Sequence, residues 1–110
     1  MRQRCPTARA IFPNVNFFGR ESDGVTQLRG NGTLALTDSE LYFERWLPRK
    51  VYRVPIASIQ AVETAQSFLG KRVYGYSLLK VVYTNDSGQT DAIAWLVRDL
   101  ETVRQTLESL

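Results

Sequence analysis

Residues 32–63 constrain the fold more than any other part of this chain. Within them, apolar and polar residues alternate over two short stretches, and a period of two places one row of side chains on each face of a β-strand. The turn-forming residues 37–39, Thr-Asp-Ser, separate the two stretches. The segment therefore predicts a β-meander. Its inward apolar positions are Leu34, Leu36, Leu41 and Phe43.

The length and composition of the chain indicate one globular domain. It has 110 residues, of which 44% are hydrophobic and 23% are charged. The net charge of +3 is uneven, because residues 1–55 contain nine Lys and Arg against five Asp and Glu, whereas residues 56–110 contain five against six. A basic excess of this size attracts anions weakly, but it is too small to indicate a nucleic-acid-binding protein.

The chain lacks the residues on which most catalytic and metal sites depend. It contains no histidine, which removes the commonest general base and a frequent metal ligand. Cys5 is the only cysteine, which excludes an internal disulfide and a Cys-pair metal site. Two acidic pairs, Asp38 with Glu40 and Asp86 with Asp91, flank turns and are explained by turn chemistry and solvation. We therefore expect a protein that is not an enzyme and that has no cofactor and no metal.

Turn residues and apolar periodicity predict further elements. Residues 30–32, Gly-Asn-Gly, predict a hairpin turn because glycine and asparagine tolerate positive φ. Residues 85–88, Asn-Asp-Ser-Gly, predict a second hairpin with a glycine bulge. Apolar residues recur every three positions over residues 56–62, which predicts a helical or 3₁₀ turn leading into a strand. The predicted strands are residues 25–29, 33–37, 40–46, 51–54, 60–68, 76–83 and 90–97.

The beginning of the chain is predicted to lie outside the sheet. Residues 1–12 carry three arginines and lack the apolar stretch of a secretory signal, so we expect a tail. Pro13 has no backbone N–H, which excludes residues 11–18 from a central strand and suggests an edge piece or a covering loop. Residues 16–19, Asn-Phe-Phe-Gly, are expected to form an apolar strap over the core rather than an exposed patch.

The periodicity changes after Arg98, where an amphipathic helix is predicted. Asp99 is its expected N-cap. Spacings of three and four residues place one apolar stripe along it, and this stripe must be buried against the strands. The stripe consists of Leu100, Val103, Leu107 and Leu110. No window of the chain has the roughly 18 continuous apolar residues that a membrane-spanning helix requires.

Three strings of residues carry a resemblance to a known superfold. They are G-x-L-x-L-T-D-x-x-L-x-F from Gly32, I-x-x-I-x-x-V-E from Ile56, and A-W-L-V from Ala94, just before the predicted helix. Together they resemble the pleckstrin-homology (PH) superfold, and within it the GRAM-like and bacterial PH-like domains. The resemblance implies a mainly β fold, a PH-like open barrel of about seven antiparallel strands in two packed orthogonal sheets, capped by one C-terminal α-helix. It covers residues 24–110 as a PH-like domain and leaves residues 1–23 as an N-terminal tail and covering segment.

The best candidate for a functional surface is the predicted hairpin tip at residues 45–50, which combines apolar and basic side chains at a turn. Such a tip suits an anionic membrane, with cations attracting lipid phosphates and apolar groups entering the interface. In the structural alternative, the apolar groups fold back and the cations keep an edge hairpin soluble. The candidate contact residues are Arg45, Trp46, Leu47, Arg49, Lys50 and Arg53, supported by Lys71 and Arg72 in a second loop, which is otherwise a simple connection with Phe68 in the core.

Two classes of partner are therefore expected, anionic lipid headgroups or a protein. The first makes the chain a non-catalytic module that docks weakly on the cytoplasmic side of a membrane. The second makes it a protein-interaction or self-assembly module, including a homo-oligomer, that uses a strand edge or the groove beside the C-terminal helix. The resemblance also points to Arg20, Arg29 and Asn31 as headgroup ligands, but their loop is short and lacks lysine. Base stacking on Tyr74 and Tyr76 is disfavoured by spacing and charge.

Overall fold

The computed structural model describes residues 10–24, 30–73 and 75–109 and shows a mainly β protein with one C-terminal helix. The mainly β prediction is confirmed. Two 3₁₀ turns, Glu21–Asp23 and Ile56–Ser58, connect elements of the sheet. The strands are β1 (Ala10–Arg20), β2 (Gly30–Leu36), β3 (Glu40–Trp46), β4 (Arg49–Pro55), β5 (Ile59–Ala65), β6 (Leu78–Thr84) and β7 (Thr90–Leu96), followed by the helix α1 (Leu100–Glu108).

All seven strands belong to one antiparallel sheet, in the order β4-β3-β2-β1-β7-β6-β5. β1 makes this possible because it is long enough to pair with β2 from Ala10 to Phe17 and with β7 from Asn16 to Arg20. β4 and β5 are the two edges in the described residues, and the sheet is not closed. The predicted strand at residues 25–29 lies outside the described residues.

The prediction that Pro13 excludes its segment from a central strand is wrong, because β1 lies in the middle of the sheet. The register of β1 against β2 shifts between Phe12 and Val15. Pro13 falls inside this irregularity, where its missing N–H removes no bond from the regular ladder. Asn14, in the left-handed region with φ of 61°, completes the irregularity.

The expected strap at residues 16–19 is likewise part of β1. Phe17 and Phe18 are both 0% exposed, and they pack into different apolar clusters. Adjacent side chains of a strand point to opposite faces, so one aromatic enters the main core while the other enters a second cluster behind the sheet. Two neighbouring aromatics are thereby buried without a strap, as expected for a strand covered on both faces.

The sheet curls around its main core. The rings of Phe43 on β3 and Trp95 on β7 lie 5.7 Å apart between centroids. These strands are three spacings apart in the sheet order, which corresponds to about 14 Å in a flat sheet. Only strong curvature brings the rings together. Phe17 packs beside Phe43, with its ring centroid 5.0 Å from that of Phe43 and 4.7 Å from that of Tyr52.

A second apolar cluster covers the other face of β1, β6 and β7. Phe68, from the connection after β5, is 6% exposed and packs there with Phe18 and Leu78. The interpretation of Phe68 as a core residue is therefore confirmed. The connection is held in place by paired backbone hydrogen bonds between Phe68 and Lys71.

The terminal helix packs as its sequence predicts. The Asp99 carboxylate accepts hydrogen bonds from the Thr102 backbone N–H at 3.3 Å and from its hydroxyl at 2.8 Å, which confirms the N-cap. Val103 and Leu107 are buried in the main core, and Leu100 packs against it. The predicted 3₁₀ turn before β5 and the hairpin between β6 and β7 are also confirmed.

The predicted hairpin turn at residues 30–32 is wrong, because these residues begin β2. Gly32 is needed for a close approach rather than for a turn. A Cβ atom at this position would lie 2.2 Å from the carbonyl oxygen of Glu44 and 2.6 Å from the ring of Phe43. At Gly30 the nearest atoms are side-chain methylenes of Arg45, at 3.1 and 3.2 Å, so that a methyl group there requires a shift of only a few tenths of an ångström.

Gly32→Ala is expected to destabilise the protein by about 1–3 kcal/mol, the usual cost of overpacking a core, because neither the backbone nor the buried ring can move aside. The free energy of unfolding is measured by urea denaturation. Gly30→Ala is the matched control and is expected to cost less. Equal costs for the two variants would contradict the close approach at Gly32.

Candidate functional site

The β3–β4 hairpin ends in a two-residue apex. Cross-strand pairing runs from Glu40 with Pro55 to Trp46 with Arg49, so that Leu47 and Pro48 form the turn. Leu47 is 85% exposed and Trp46 is 45% exposed. Among the described residues, the only other large hydrophobic side chain that is exposed belongs to Tyr76. The hairpin apex is therefore the most pronounced apolar projection in the described part of the chain.

The two apolar side chains at the apex differ in how they are held. The indole N–H of Trp46 donates a hydrogen bond of 3.1 Å to the hydroxyl oxygen of Thr33 on β2, which holds the ring against the sheet. Leu47 makes no comparable contact and projects from the turn. Trp46 is thus partly folded back, as the structural alternative predicts, whereas Leu47 is not.

Strand alternation divides the basic residues of the hairpin between two faces. Arg45 and Lys50 are cross-strand partners on the core side, where Lys50 Nζ lies 5.0 Å from the centroid of the Tyr52 ring. Arg49 and Arg53 lie on the opposite side, with the Arg53 guanidinium 5.2 Å from the ring centroid of Tyr42. The structure therefore does not gather these four cations into one patch.

Each of these cations also has a partner within the protein. Arg45 is only 7% exposed, and its Nε donates to the carbonyl oxygen of Pro48 at 3.0 Å. The other ion pairs are Arg49 with Glu44 at 2.7 Å, Lys50 with Asp23 at 3.8 Å and Arg53 with Glu40 at 3.0 Å. Residues 40–55 hold four cations and two carboxylates, a net charge of +2. The hairpin is positive, but its charges are largely balanced in place.

The second predicted basic loop lies against β1. Lys71 Nζ donates to the carbonyl oxygen of Phe18 at 3.4 Å, and Arg72 beside it is exposed. Phe68, in the same connection, packs with Phe18 in the second apolar cluster, so the loop that carries Lys71 lies on the outer side of the sheet. The described contacts of Lys71 therefore link it to β1 and to Phe68, not to the hairpin apex.

A buried acidic residue was missed by the sequence analysis, which assigned Asp91 to turn chemistry and solvation. Asp91 is 2% exposed, so that assignment is wrong. Its carboxylate accepts hydrogen bonds from the Ser22 N–H at 3.0 Å, the Ser22 hydroxyl at 2.6 Å and the Tyr83 hydroxyl at 3.3 Å. The alternation of β7 contains the missing signal, because Asp91 is in phase with the inward residues Ile93 and Trp95.

The environment of Asp91 shifts two pKa values. Burial acts to raise the pKa of the Asp91 carboxyl, but hydrogen bonds from Ser22, Ala92 and Asn85 outweigh it and hold the pKa below its usual range. Burial, together with the nearby Asp91 charge, raises the pKa of Tyr83 to about 12. At neutral pH, Asp91 is therefore an anion that accepts a hydrogen bond from a neutral tyrosine.

The hydrogen bonds of Asp91 help to position the β3–β4 hairpin. Ser22 belongs to the 3₁₀ turn that Asp91 holds, and Asp23 in the same turn pairs with Arg20 at 3.0 Å and with Lys50 at 3.8 Å. The guanidinium of Arg20 and the amine of Lys50 lie 5.1 and 5.0 Å from the centre of the Tyr52 ring. The turn after β1 is thus connected to the base of the basic hairpin.

Comparison with known proteins adds no family to this description. No protein-family model matches the sequence, and no curated protein matches it significantly. The resemblance to the PH superfold therefore stays a prediction. The described residues contain no group of three Cys, Asp or Glu side chains arranged to hold a metal ion. No helix in the same residues has the length and apolar character needed to cross a bilayer.

Asp91→Asn is expected to lower the free energy of unfolding at neutral pH by about 1–3 kcal/mol, because the buried hydrogen bonds to the carboxylate are weakened or lost. The pKa of Asp91 is lower in the folded than in the unfolded protein. Its stabilisation is therefore present above the unfolded-state pKa, about 3.9, and is lost as the pH falls through the folded-state pKa. Denaturation at several pH values measures this dependence.

In this experiment, the difference in stability between the original protein and Asp91→Asn should narrow on acidification below the unfolded-state pKa. Asp86→Asn, on the exposed tip of the same hairpin, is the matched control and should change little at any pH. A difference that stays constant down to strongly acidic pH would show that Asp91 acts through packing instead of charge.

Proposed function

We propose that this chain is a non-catalytic PH-like binding module that docks weakly on anionic membranes through the apex of the β3–β4 hairpin. The observation that carries the proposal is the 85% exposure of Leu47 beside the half-exposed Trp46 at the end of a basic hairpin. In this proposal the curled sheet is a PH-like open barrel whose two halves meet at β1. The domain binds the lipid surface on the cytoplasmic face of a membrane.

The two apolar side chains suit the boundary between water and lipid. The Leu47 side chain is exposed to water, so it can enter the acyl region of the bilayer without breaking contacts within the protein. Trp46 is amphipathic, and tryptophan favours the headgroup level of a bilayer. Its indole N–H already has a partner in Thr33, so insertion leaves no unsatisfied donor. The apex therefore supplies the larger part of the binding free energy in this proposal.

The cations contribute less than their number suggests. A free basic residue near an anionic surface contributes about 1 kcal/mol. Arg49 and Lys50 lie closest to the apex, but each is paired with a carboxylate, and Arg45 is buried. The Glu44 side chain is only 12% exposed, so moving Arg49 to a lipid phosphate would leave a largely buried carboxylate without its partner, and Arg49 adds little to the attraction. The preference for anionic lipid should therefore be modest and should weaken with salt.

A protein-interaction or self-assembly module is the second candidate, and the difference between the two sheet edges favours it. β4 carries three basic residues and Pro55, and both basic residues and proline disfavour pairing with a strand of another molecule. β5, with the sequence Ile-Gln-Ala-Val-Glu-Thr-Ala, has no lysine, arginine or proline. β5 is therefore the edge to which another strand adds more easily.

Leu47→Glu is expected to weaken binding to vesicles of phosphatidylcholine and phosphatidylserine by at least about ten-fold. The reason is that burial of a leucine side chain is worth about 1.5–3 kcal/mol and that the new carboxylate is repelled by the anionic surface. Co-sedimentation measures the bound fraction at low and high salt.

The matched control in this experiment is Ala57→Glu, which adds the same charge at an exposed position beyond the other end of the hairpin. It should lower binding much less than Leu47→Glu does. Vesicles of phosphatidylcholine alone should bind the original protein more weakly than the mixed vesicles. The proposal fails if the original protein does not bind mixed vesicles at low salt, or if the two variants bind equally.

For the second candidate, the expected result is a molecular mass that rises with protein concentration in the absence of lipid, measured by light scattering. Thr64→Lys on the exposed edge of β5 should reduce the mass, because a lysine disfavours edge-to-edge pairing. Gln105→Lys on the exposed side of α1 is the matched control. A monomer at all concentrations would remove this candidate.

A further inference from the structure

Two adjoining cavities lie beside the start of α1, and no residue of the β3–β4 hairpin lines either of them. Their volumes are about 340 Å³ and about 270 Å³. Val97 and Arg98 line both, so the two cavities adjoin each other where the chain leaves β7 and approaches the helix, and we refer to the pair as the cleft. The irregularity of β1 at Pro13 and Asn14 forms one wall. A cleft of this size lies in the range of small-ligand sites in proteins.

The two cavities of the cleft differ in polarity. The smaller cavity is mostly apolar; its apolar lining consists of Phe12, Pro13, Val15, Val97 and Val103, and its polar lining of Arg98, Asp99 and Thr102. The larger cavity contributes two amides, a phenol and a guanidinium, from Asn14, Asn16, Tyr76 and Arg98. The smaller cavity is therefore the more apolar part of the cleft, and Arg98 lines both parts.

Arg98 stands out among the basic residues. Across residues 10–24, 30–73 and 75–109 it is the one lysine or arginine with no hydrogen bond, ion pair or ring contact. The nearest acidic residue in the chain, Asp99, caps the helix through two hydrogen bonds to Thr102 and makes no ion pair with Arg98. A guanidinium without a partner at the junction of an amphipathic cleft is an available anion-binding group.

We propose that this cleft binds an aliphatic monocarboxylate, a medium-chain fatty acid, with the carboxylate on Arg98 and the chain in the apolar cavity. The ligand matches both parts of the cleft, since it has one negative charge for the one free cation and no other polar group to bury. A peptide strand fits less well, because Pro13 and the left-handed Asn14 interrupt the part of β1 that β7 leaves unpaired, which such a strand would join. No residue of the hairpin apex lines the cleft.

The test is calorimetric titration of the intact protein with sodium decanoate below its micelle concentration. The expected result is saturable binding that Arg98→Gln weakens about ten-fold or more, because a charge-assisted hydrogen bond is lost. Arg98 is exposed, so its replacement leaves the core intact. Arg72→Gln removes the same charge at an exposed loop position and is the matched control, with affinity unchanged.

Two ligand series sharpen this test. Decanol, which has the same chain without the charge, should bind the original protein about as weakly as decanoate binds Arg98→Gln. Hexanoate, octanoate and decanoate should bind with increasing affinity, by up to about four-fold for each added methylene, until the apolar cavity is full. Nuclear magnetic resonance shifts should concentrate at Val97, Thr102 and Val103.

The possible results separate this proposal from the membrane-docking proposal. Resonance shifts centred on Trp46 and Leu47, equal binding of decanol and decanoate, or no effect of Arg98→Gln would each overturn the fatty-acid site. Vesicle binding through the apex would be unaffected by any of these results. Loss of vesicle binding in Leu47→Glu with decanoate affinity retained would show that the two sites act independently.

Discussion

The pairing of β1 with both β2 and β7 is the constraint on which the rest of the structure depends. This strand joins the run of β2 to β4 with the run of β5 to β7 in a single sheet. Phe17 and Phe18 bury its two faces in different apolar clusters. The contact between Phe43 and Trp95 across the curled sheet exists because β1 holds the two runs close enough for their inner faces to meet. A strand with a bulge at Pro13 is therefore central, despite the missing N–H.

The position of the hairpin follows from the end of the same strand. After Arg20 the chain enters a 3₁₀ turn, which is held by the buried Asp91 on β7 and which presents Asp23 to Lys50 on β4. The candidate surface is thus connected to the core through ion pairs and hydrogen bonds, not through apolar packing alone. This arrangement leaves Leu47 as the one apex side chain that is free to meet a partner, while the cations around it are already engaged.

Much of the fold was accessible from local patterns. Period-two alternation predicted β2, β3, β6 and β7, and the cap at Asp99 with its apolar stripe predicted α1. The errors concern Pro13, residues 30–32 and Asp91, where a local rule conflicts with the tertiary environment. The rules for proline and glycine consider only residues that are close in the sequence. They cannot predict that a neighbouring strand accommodates a bulge at Pro13, or that another strand lies close to the backbone of Gly32.

The sequence by itself determined the strand alternation, the position of the hairpin apex and the helix with its cap, because these depend on residues a few positions apart. The tertiary structure decided the order of the strands, the engagement of the hairpin cations and the isolation of Arg98. Each of these depends on contacts between residues far apart in the chain, such as Lys50 with Asp23 and Ser22 with Asp91. A local pattern shows that a residue is basic or acidic, but only the fold shows whether its charge is already matched.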